Sequence, residues 1–244
     1  MTKPILTMML GERVRIMRPP GGFAPGSDAV LLAAACPARA GASVLDLGCG
    51  AGAAMLCVAA RVPGVELTGL DVHRDSVGWA GRNLDDNCAD GAALHGDVAD
   101  PPAAVRARQF DHVICNPPYF TEGSASPDPA REAARRGLDL GPWLQTARRR
   151  VAPKGSVTFI TRADRLADVL AGMEGLGGIA ILPLAPRAGQ PAGRVIVQGR
   201  KGARAPLKIL PPFVLHRGDA HQDGDRHTPE ARAVLRDAAP LPLT

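Results

Sequence analysis

The chain has 244 residues, 45% of them hydrophobic and 22% charged, with a formal net charge of +5 in which arginine far outnumbers lysine. That length suits one α/β domain; no apolar run reaches the ~18 residues of a membrane span, and no basic-then-apolar leader opens the chain, so a soluble, cytoplasmic protein is expected. Five cysteines, Cys36, Cys49, Cys57, Cys88 and Cys115, show no C-x-x-C spacing, which argues against zinc and against a disulfide framework, so all five read as buried thiols.

Taken in chain order, apolar runs alternate with helix-forming stretches. A helix is predicted near Asp28–Cys36, a strand near Val44–Leu47 and a helix over Ala53–Arg61. A strand near Glu66–Asp71, a helix near Arg74–Asn87 and strands near Ala92–His95 and His112–Cys115 follow. Beyond them the pattern predicts helix Pro142–Val151, strand Ser156–Thr161, helix Asp164–Leu176, strands Ile179–Pro183 and Val195–Gly199, and helix Pro229–Asp237. Such alternation predicts a single-domain α/β fold, a Rossmann-like seven-stranded and mostly parallel sheet with helices on both faces. The last two strands are expected to pair as an antiparallel edge hairpin.

Two segments carry chemistry. In Asp46-Leu-Gly48-Cys-Gly50-Ala-Gly52, an apolar strand runs into a glycine turn and then a helix, so a ligand can approach the main chain at a helix N-terminus. The spacing is G-x-G-x-G. A dinucleotide fingerprint requires glycine where Ala53 stands, and Asp46 suits a cationic ligand better than a pyrophosphate. The next two strands end near further acids, Asp71 and Asp97, and Asp71 stands where an acid reaches ribose hydroxyls. Cys49 within the turn reads as an apolar filler.

The second segment is Val113-Ile-Cys-Asn116-Pro117-Pro118-Tyr119, which contains the only tyrosine. Prolines fix φ and remove donors, so carbonyls at this strand end lack internal partners. The side-chain oxygen of Asn116 and the main-chain oxygen of Pro117 can together accept both hydrogens of an exocyclic amine. Tyr119 offers a stacking face, worth about 1–3 kcal/mol per base. A plain turn after a strand explains Asn-Pro-Pro alone equally well. Combined with the glycine turn and three strand-end acids, it reads as a site on one rim of the sheet.

These motifs resemble the class I, Rossmann-like methyltransferases that use S-adenosylmethionine, within their Asn-Pro-Pro-Tyr amino-methylating group. The resemblance implies S-adenosylmethionine as cofactor and one domain over 1–244, with an N-terminal segment 1–41 contributing to the cofactor pocket, a core 42–202 and a tail 203–244. It implies Asp46, Gly48, Gly50, Gly52, Asp71, Asp97 and Asn116 as cofactor-binding residues, with Asp71 on the ribose and Asp97 on the adenine amine. Asn116, Pro117 and Tyr119 are the implied catalytic residues, and no metal is called for. The segments Gly22-Phe-Ala-Pro-Gly-Ser-Asp28, Gly193-Arg-Val-Ile-Val and His227-Thr-Pro-Glu230 are similar to those of the bacterial tRNA1(Val) adenine-37 N6-methyltransferases, in whose tail a tyrosine more often stands at the His227 position. This points to RNA, a tRNA, as partner and to a monomer or weak dimer. A protein-glutamine N5-methyltransferase and an rRNA guanine-N2 methyltransferase are the alternative readings.

Three further stretches invite interpretation. Residues 121–141 form a long irregular segment with Arg131, Arg135 and Arg136, read either as a substrate lid or as plain disorder. Arg148–Arg150 with Arg200, Lys201, Arg204 and Lys208 form a basic set that could touch RNA phosphates or be a solvated face. The histidines and acids between His216 and His227 lack the spacing of a metal motif and read as a loop.

Overall fold

The computed structural model describes residues 3–21, 24–118, 139–218, 227–241 and 243. It opens with a β-hairpin of β1 (Ile5–Met9) and β2 (Val14–Arg18), paired antiparallel with Ile5 opposite Arg18. Along β2, Val14 and Ile16 are buried while Arg13 and Arg15 are exposed, the two-residue alternation of a strand with one face on a core. The helix α1 (Ser27–Ala35) follows and is buried from Asp28 onward, as its nearly all-apolar sequence requires.

Among the described residues, the body is one nine-stranded sheet. Its strands are β3 (Ser43–Leu47), β4 (Glu66–Asp71), β5 (Gly91–His95), β6 (Phe110–Cys115), β7 (Val151–Arg162), β8 (Leu176–Ala185), β9 (Arg194–Lys201), and the two-residue β10 (Lys208–Ile209) and β11 (Phe213–Val214). The order is β10-β8-β9-β7-β6-β3-β4-β5, with β11 also on β8. All neighbours pair parallel except β9, which runs antiparallel to both β7 and β8.

Helices cover both faces. On one, α1, α2 (Ala53–Arg61), α3 (Arg74–Asp86) and the C-terminal α7 (Pro229–Arg236) bury a core that includes Val30, Leu31, Val44, Met55, Leu84, Ile114 and Val234. On the other, α4 (Ala103–Arg106), α5 (Gly141–Arg150) and α6 (Leu166–Gly172) close over Leu45, Leu47, Val113, Cys115, Val157 and Phe159. Strand alternation sorts the two sets: Val44 faces the first core, Leu45 and Leu47 the second.

All seven expected strands and the six expected helices are present, with ends shifted by a few residues. Three features depart from expectation. The β1–β2 hairpin, α4 and the short β10 and β11 are additional; the last two continue the sheet beyond β8, so the β8–β9 pair is not at its edge. The expected helix 164–176 is a 3₁₀ turn (Ala163–Arg165) followed by α6, ending at Gly172. Cys88 is exposed, in a left-handed turn at φ 50°, whereas the other four thiols are buried.

The Thr228-Pro229-Glu230 string has a local structural task. Thr228 is the N-cap of α7; its Oγ1 accepts from the Ala231 N–H at 3.0 Å and donates to the Val214 carbonyl at 2.8 Å, and Pro229 takes the first helical position. His227 stacks on His216 across an isolated antiparallel bridge, ring centroids 4.9 Å apart. Residues 219–226 of the expected loop lie outside the described residues.

Candidate active site at the strand ends

Because β3, β4, β5 and β6 are parallel neighbours, their C-terminal ends share one rim of the sheet. Leu47 pairs with Leu70 on one side and Cys115 on the other, so Gly48 lies between Asp71 and Asn116, about one strand spacing, ~5 Å, from each. Asp97 follows β5 two residues beyond His95, which pairs with Asp71. The expected residues Asp46, Gly48, Gly50, Gly52, Asp71, Asp97, Asn116 and Pro117 are thus brought to one rim. Tyr119 lies outside the described residues, as do Phe120 and residues 121–138 of the long segment.

The turn depends on backbone only glycine adopts readily. Gly48, Gly50 and Gly52 have φ of 66°, 55° and 89°. A Cβ at Gly50 would meet nothing within 4 Å, so this stretch of main chain is open to a ligand. At Gly48 the reason differs: a Cβ there would fall 2.3 Å from Cη2 of Trp143, on α5. The Gly48 and Cys49 N–H groups both donate to the Leu70 carbonyl, at 2.7 and 3.0 Å, which ties the turn to the end of β4.

Asp71 holds the same turn from the other side. Its Oδ2 accepts from the Gly50 N–H at 2.8 Å and its Oδ1 from the His73 N–H at 2.9 Å. Each oxygen retains a second lone pair for a ligand hydroxyl. Asp46 sits beneath the turn, 1% exposed, with Oδ2 accepting from the Met55 N–H at 3.2 Å. Gly52, the N-cap of α2, has no side chain to offer, so Asp46 supplies from β3 the acceptor that the third helical N–H needs. Burial, opposed by that hydrogen bond and assisted by the Asp71 charge, pushes the Asp46 carboxyl up to about 8. A cation brought near would favour its ionised form.

Asp97 is exposed, and its Oδ1 accepts from the Ala99 N–H at 2.8 Å. Asn116 is the informative residue. Its Oδ1 is buried and has no hydrogen-bond partner among the described residues, while Pro117 beside it is buried and Pro118 exposed. Leaving an amide oxygen dry and unpaired costs about 1–3 kcal/mol, so its retention calls for an explanation. A donor arriving with a ligand supplies one.

Two residues at this site escaped the sequence reading. Trp143, half-buried on α5, sets the ceiling on Gly48; its only sequence signal is an aromatic at a helix start after a long irregular segment. Asn83 is fully buried in α3 and donates to the Ala51 carbonyl of the glycine turn at 2.9 Å. An asparagine inside an apolar-periodic helix face, where its helix propensity is poor, is the visible signal for it.

The basic set lies at the other end of the sheet. Arg148–Arg150 end α5 just before the start of β7, and Arg200 and Lys201 end the antiparallel β9, so both groups flank the N-terminal ends of the parallel strands. A cleft of about 510 Å³ opens there between Arg148, Arg149, Glu174, Gly175, Leu176 and Lys201. Two of its three cations are structurally occupied: Lys201 Nζ donates to the Arg148 and Val151 carbonyls at 3.0 and 2.8 Å, and Arg148 pairs with Glu174 at 3.6 Å. Arg150 donates to the carbonyls of Val105, Arg106 and Arg108 at the end of α4. These are helix C-terminal contacts, where cations are favoured by unpaired carbonyls. Among the described residues, no cluster of histidine, cysteine and acidic groups could hold a metal, and no helix is long and apolar enough to cross a membrane.

Comparison with known proteins agrees with this geometry. The family described as methyltransferase small domain matches residues 16–166, more than half the chain. The chain is 31% identical over 188 residues to the tRNA1(Val) (adenine(37)-N6)-methyltransferase of Aeromonas hydrophila, covering 72% of this chain and 76% of that one. It is 34% identical over 157 residues to the enzyme of the same description from Shewanella halifaxensis, covering 60% and 61%. Among solved structures, a predicted O-methyltransferase from Agrobacterium tumefaciens superposes with a TM-score of 0.73 at 29% identity, over 88% of this chain and 98% of that one. A Thermus thermophilus 16S rRNA N2 methyltransferase in complex with AdoMet and guanosine shares the fold, with a TM-score of 0.57 at 22% identity over 82% of this chain and 50% of its own. The chain belongs to the methyltransferase small domain family.

Proposed function

We propose that this methyltransferase acts on RNA, placing a methyl group on N6 of an adenine, adenine 37 of a valine tRNA. The observation that carries the reading is the Oδ1 of Asn116, buried and without a partner among the described residues, at the end of the strand that neighbours the one leading into the glycine turn. Two relatives named for that reaction support the choice of base. Bound on the turn, S-adenosylmethionine supplies an electrophilic methyl carbon. The residues present fit it: open main chain at Gly50, lone pairs on Asp71 for the ribose hydroxyls, and the second oxygen of Asp97 for the adenine amine.

Asn116 Oδ1 and the Pro117 carbonyl then accept the two hydrogens of the target amine. That draws the nitrogen lone pair out of conjugation, aims it at the methyl carbon and stabilises the positive charge that grows on nitrogen. Holding the reacting atoms in line contributes about 7–11 kcal/mol to catalysis. A base in a stacked loop must first leave its stack, and Tyr119 offsets part of that cost. Residues 1–41 contribute to the pocket through β2, within one domain spanning 1–244. The enzyme works in the cytoplasm as a monomer or weak dimer.

The test is methylation of an unmodified valine tRNA transcript with labelled donor, followed by nucleoside mass spectrometry. Label should appear as N6-methyladenosine and vanish when adenine 37 is replaced by guanine. Label on guanine, or on a glutamine of an added protein fraction but not on RNA, would refute the proposal.

A further inference from the structure

We propose that Asn83 is a positioning residue that locks the glycine turn to the N-terminal hairpin, so that cofactor affinity depends on an amide that touches no ligand. The inference rests on that turn being the cofactor cradle.

Asn83 on α3 and Asn87, the C-cap that follows it, stand four residues apart and both face the free edge of β2. Asn83 Oδ1 accepts from the Met17 N–H at 2.9 Å and its Nδ2 donates to the Met17 carbonyl at 2.9 Å. Asn87 does the same for Arg15, at 2.9 and 2.7 Å. The match is geometric: four helical residues rise about 6 Å, and two strand residues advance about 6.6 Å. Two side-chain amides therefore stand in for a third strand, satisfying the edge of β2 that β1 leaves open.

The two amides differ in one respect. Asn87 spends its remaining donor on the Asn83 carbonyl of its own helix, at 2.7 Å. Asn83 spends its own on the Ala51 carbonyl, between Gly50 and Gly52. Asn83 is fully buried, and these three bonds use both its donors and its acceptor oxygen. With the Ala51 carbonyl fixed on one side and the Gly50 N–H fixed by Asp71 on the other, the turn cannot pivot between its left-handed glycines. Removing Asn83 frees that pivot, whereas removing Asn87 loosens only the hairpin.

Asn83→Ala and Asn87→Ala are compared by calorimetric titration with S-adenosylhomocysteine, thermal melting and steady-state kinetics. Loss of a buried partner predicts that Asn83→Ala raises the dissociation constant about tenfold or more. Its kcat at saturating cofactor should stay within about threefold of wild type, and Asn87→Ala should lower the melting temperature while leaving affinity within about twofold. Equal affinity losses in both variants, or none in Asn83→Ala, would overturn the inference. A readout on the unmodified enzyme covers a variant that fails to fold. By amide exchange, S-adenosylhomocysteine should slow the Met17 N–H, bonded to Asn83, about tenfold more than the Arg15 N–H, bonded to Asn87. Equal protection of the two argues against the lock. Absence of protection across Gly48–Gly52 with binding intact would instead remove the cradle assignment, and the inference with it.

Discussion

Replacing Gly48 with alanine tests the cradle most sharply, because two separable penalties meet at one atom. The new Cβ would stand 2.3 Å from Trp143 Cη2 and 2.7 Å from Cζ3. Carbon atoms pack at about 3.5–4.0 Å, so the ring or the turn must withdraw by more than an ångström. Overpacking of that kind costs about 1–3 kcal/mol, and holding alanine at φ 66° adds about 1–2 kcal/mol. If the turn yields, the cofactor binds only the fraction that retains the native shape. At about 1.4 kcal/mol per tenfold, the dissociation constant for S-adenosylhomocysteine should rise between about 30-fold and a few thousand-fold. Gly50→Ala carries only the backbone penalty, since nothing lies within 4 Å of its Cβ, and should cost about 5- to 30-fold. The Gly48→Ala, Trp143→Ala double variant loses the clash but keeps the strained φ, so its affinity should return to the Gly50→Ala range. Calorimetric titration of the four proteins decides the matter. Affinity within about threefold of wild type for Gly48→Ala would refute the reasoning, as would a double variant no better than the single.

Three other outcomes are expected. Asn116→Ala should lower kcat by about 10²- to 10³-fold, as loss of a preorganised electrostatic group does, while S-adenosylhomocysteine affinity measured by titration stays near wild type; near-normal turnover would remove Asn116 from catalysis. For Asp46, a carboxyl raised to about 8 in the folded protein is protonated there and ionised in the unfolded chain, so its stabilising contribution is complete below about pH 4 and is lost as pH rises toward 8. Asp46→Asn should therefore flatten the melting-temperature profile between pH 5 and 8, by no more than about 1.4 kcal/mol per pH unit, and parallel profiles would contradict the assigned burial. Lys201→Met should lower the melting temperature, because the Arg148 and Val151 carbonyls lose their donor, yet leave the KM for RNA unchanged; a raised KM would return the far-end basic set to the RNA interface.

Much of the site was legible because parallel strands do the assembling. In a mostly parallel sheet, Gly48, Asp71, Asp97 and Asn116 share a rim because each follows a strand end, whatever their separation along the chain; the structure adds that β3, β4, β5 and β6 are neighbours. The hairpin is harder to read: Val14 and Ile16 alternate with Arg13 and Arg15, but the pattern is too short to separate a strand from other structure.

By itself, then, the sequence determined the α/β alternation, the left-handed glycine turn and the acids and amide at the strand ends, since these follow from local backbone preference and residue spacing. Only the tertiary structure decided that Trp143 presses on Gly48, that Asn83 bridges Met17 and Ala51, and that Arg148, Arg150 and Lys201 stand at the far rim closing helix ends. Those contacts join positions 32 to 95 residues apart, and no periodicity along the chain encodes which side chain meets which carbonyl once two layers pack.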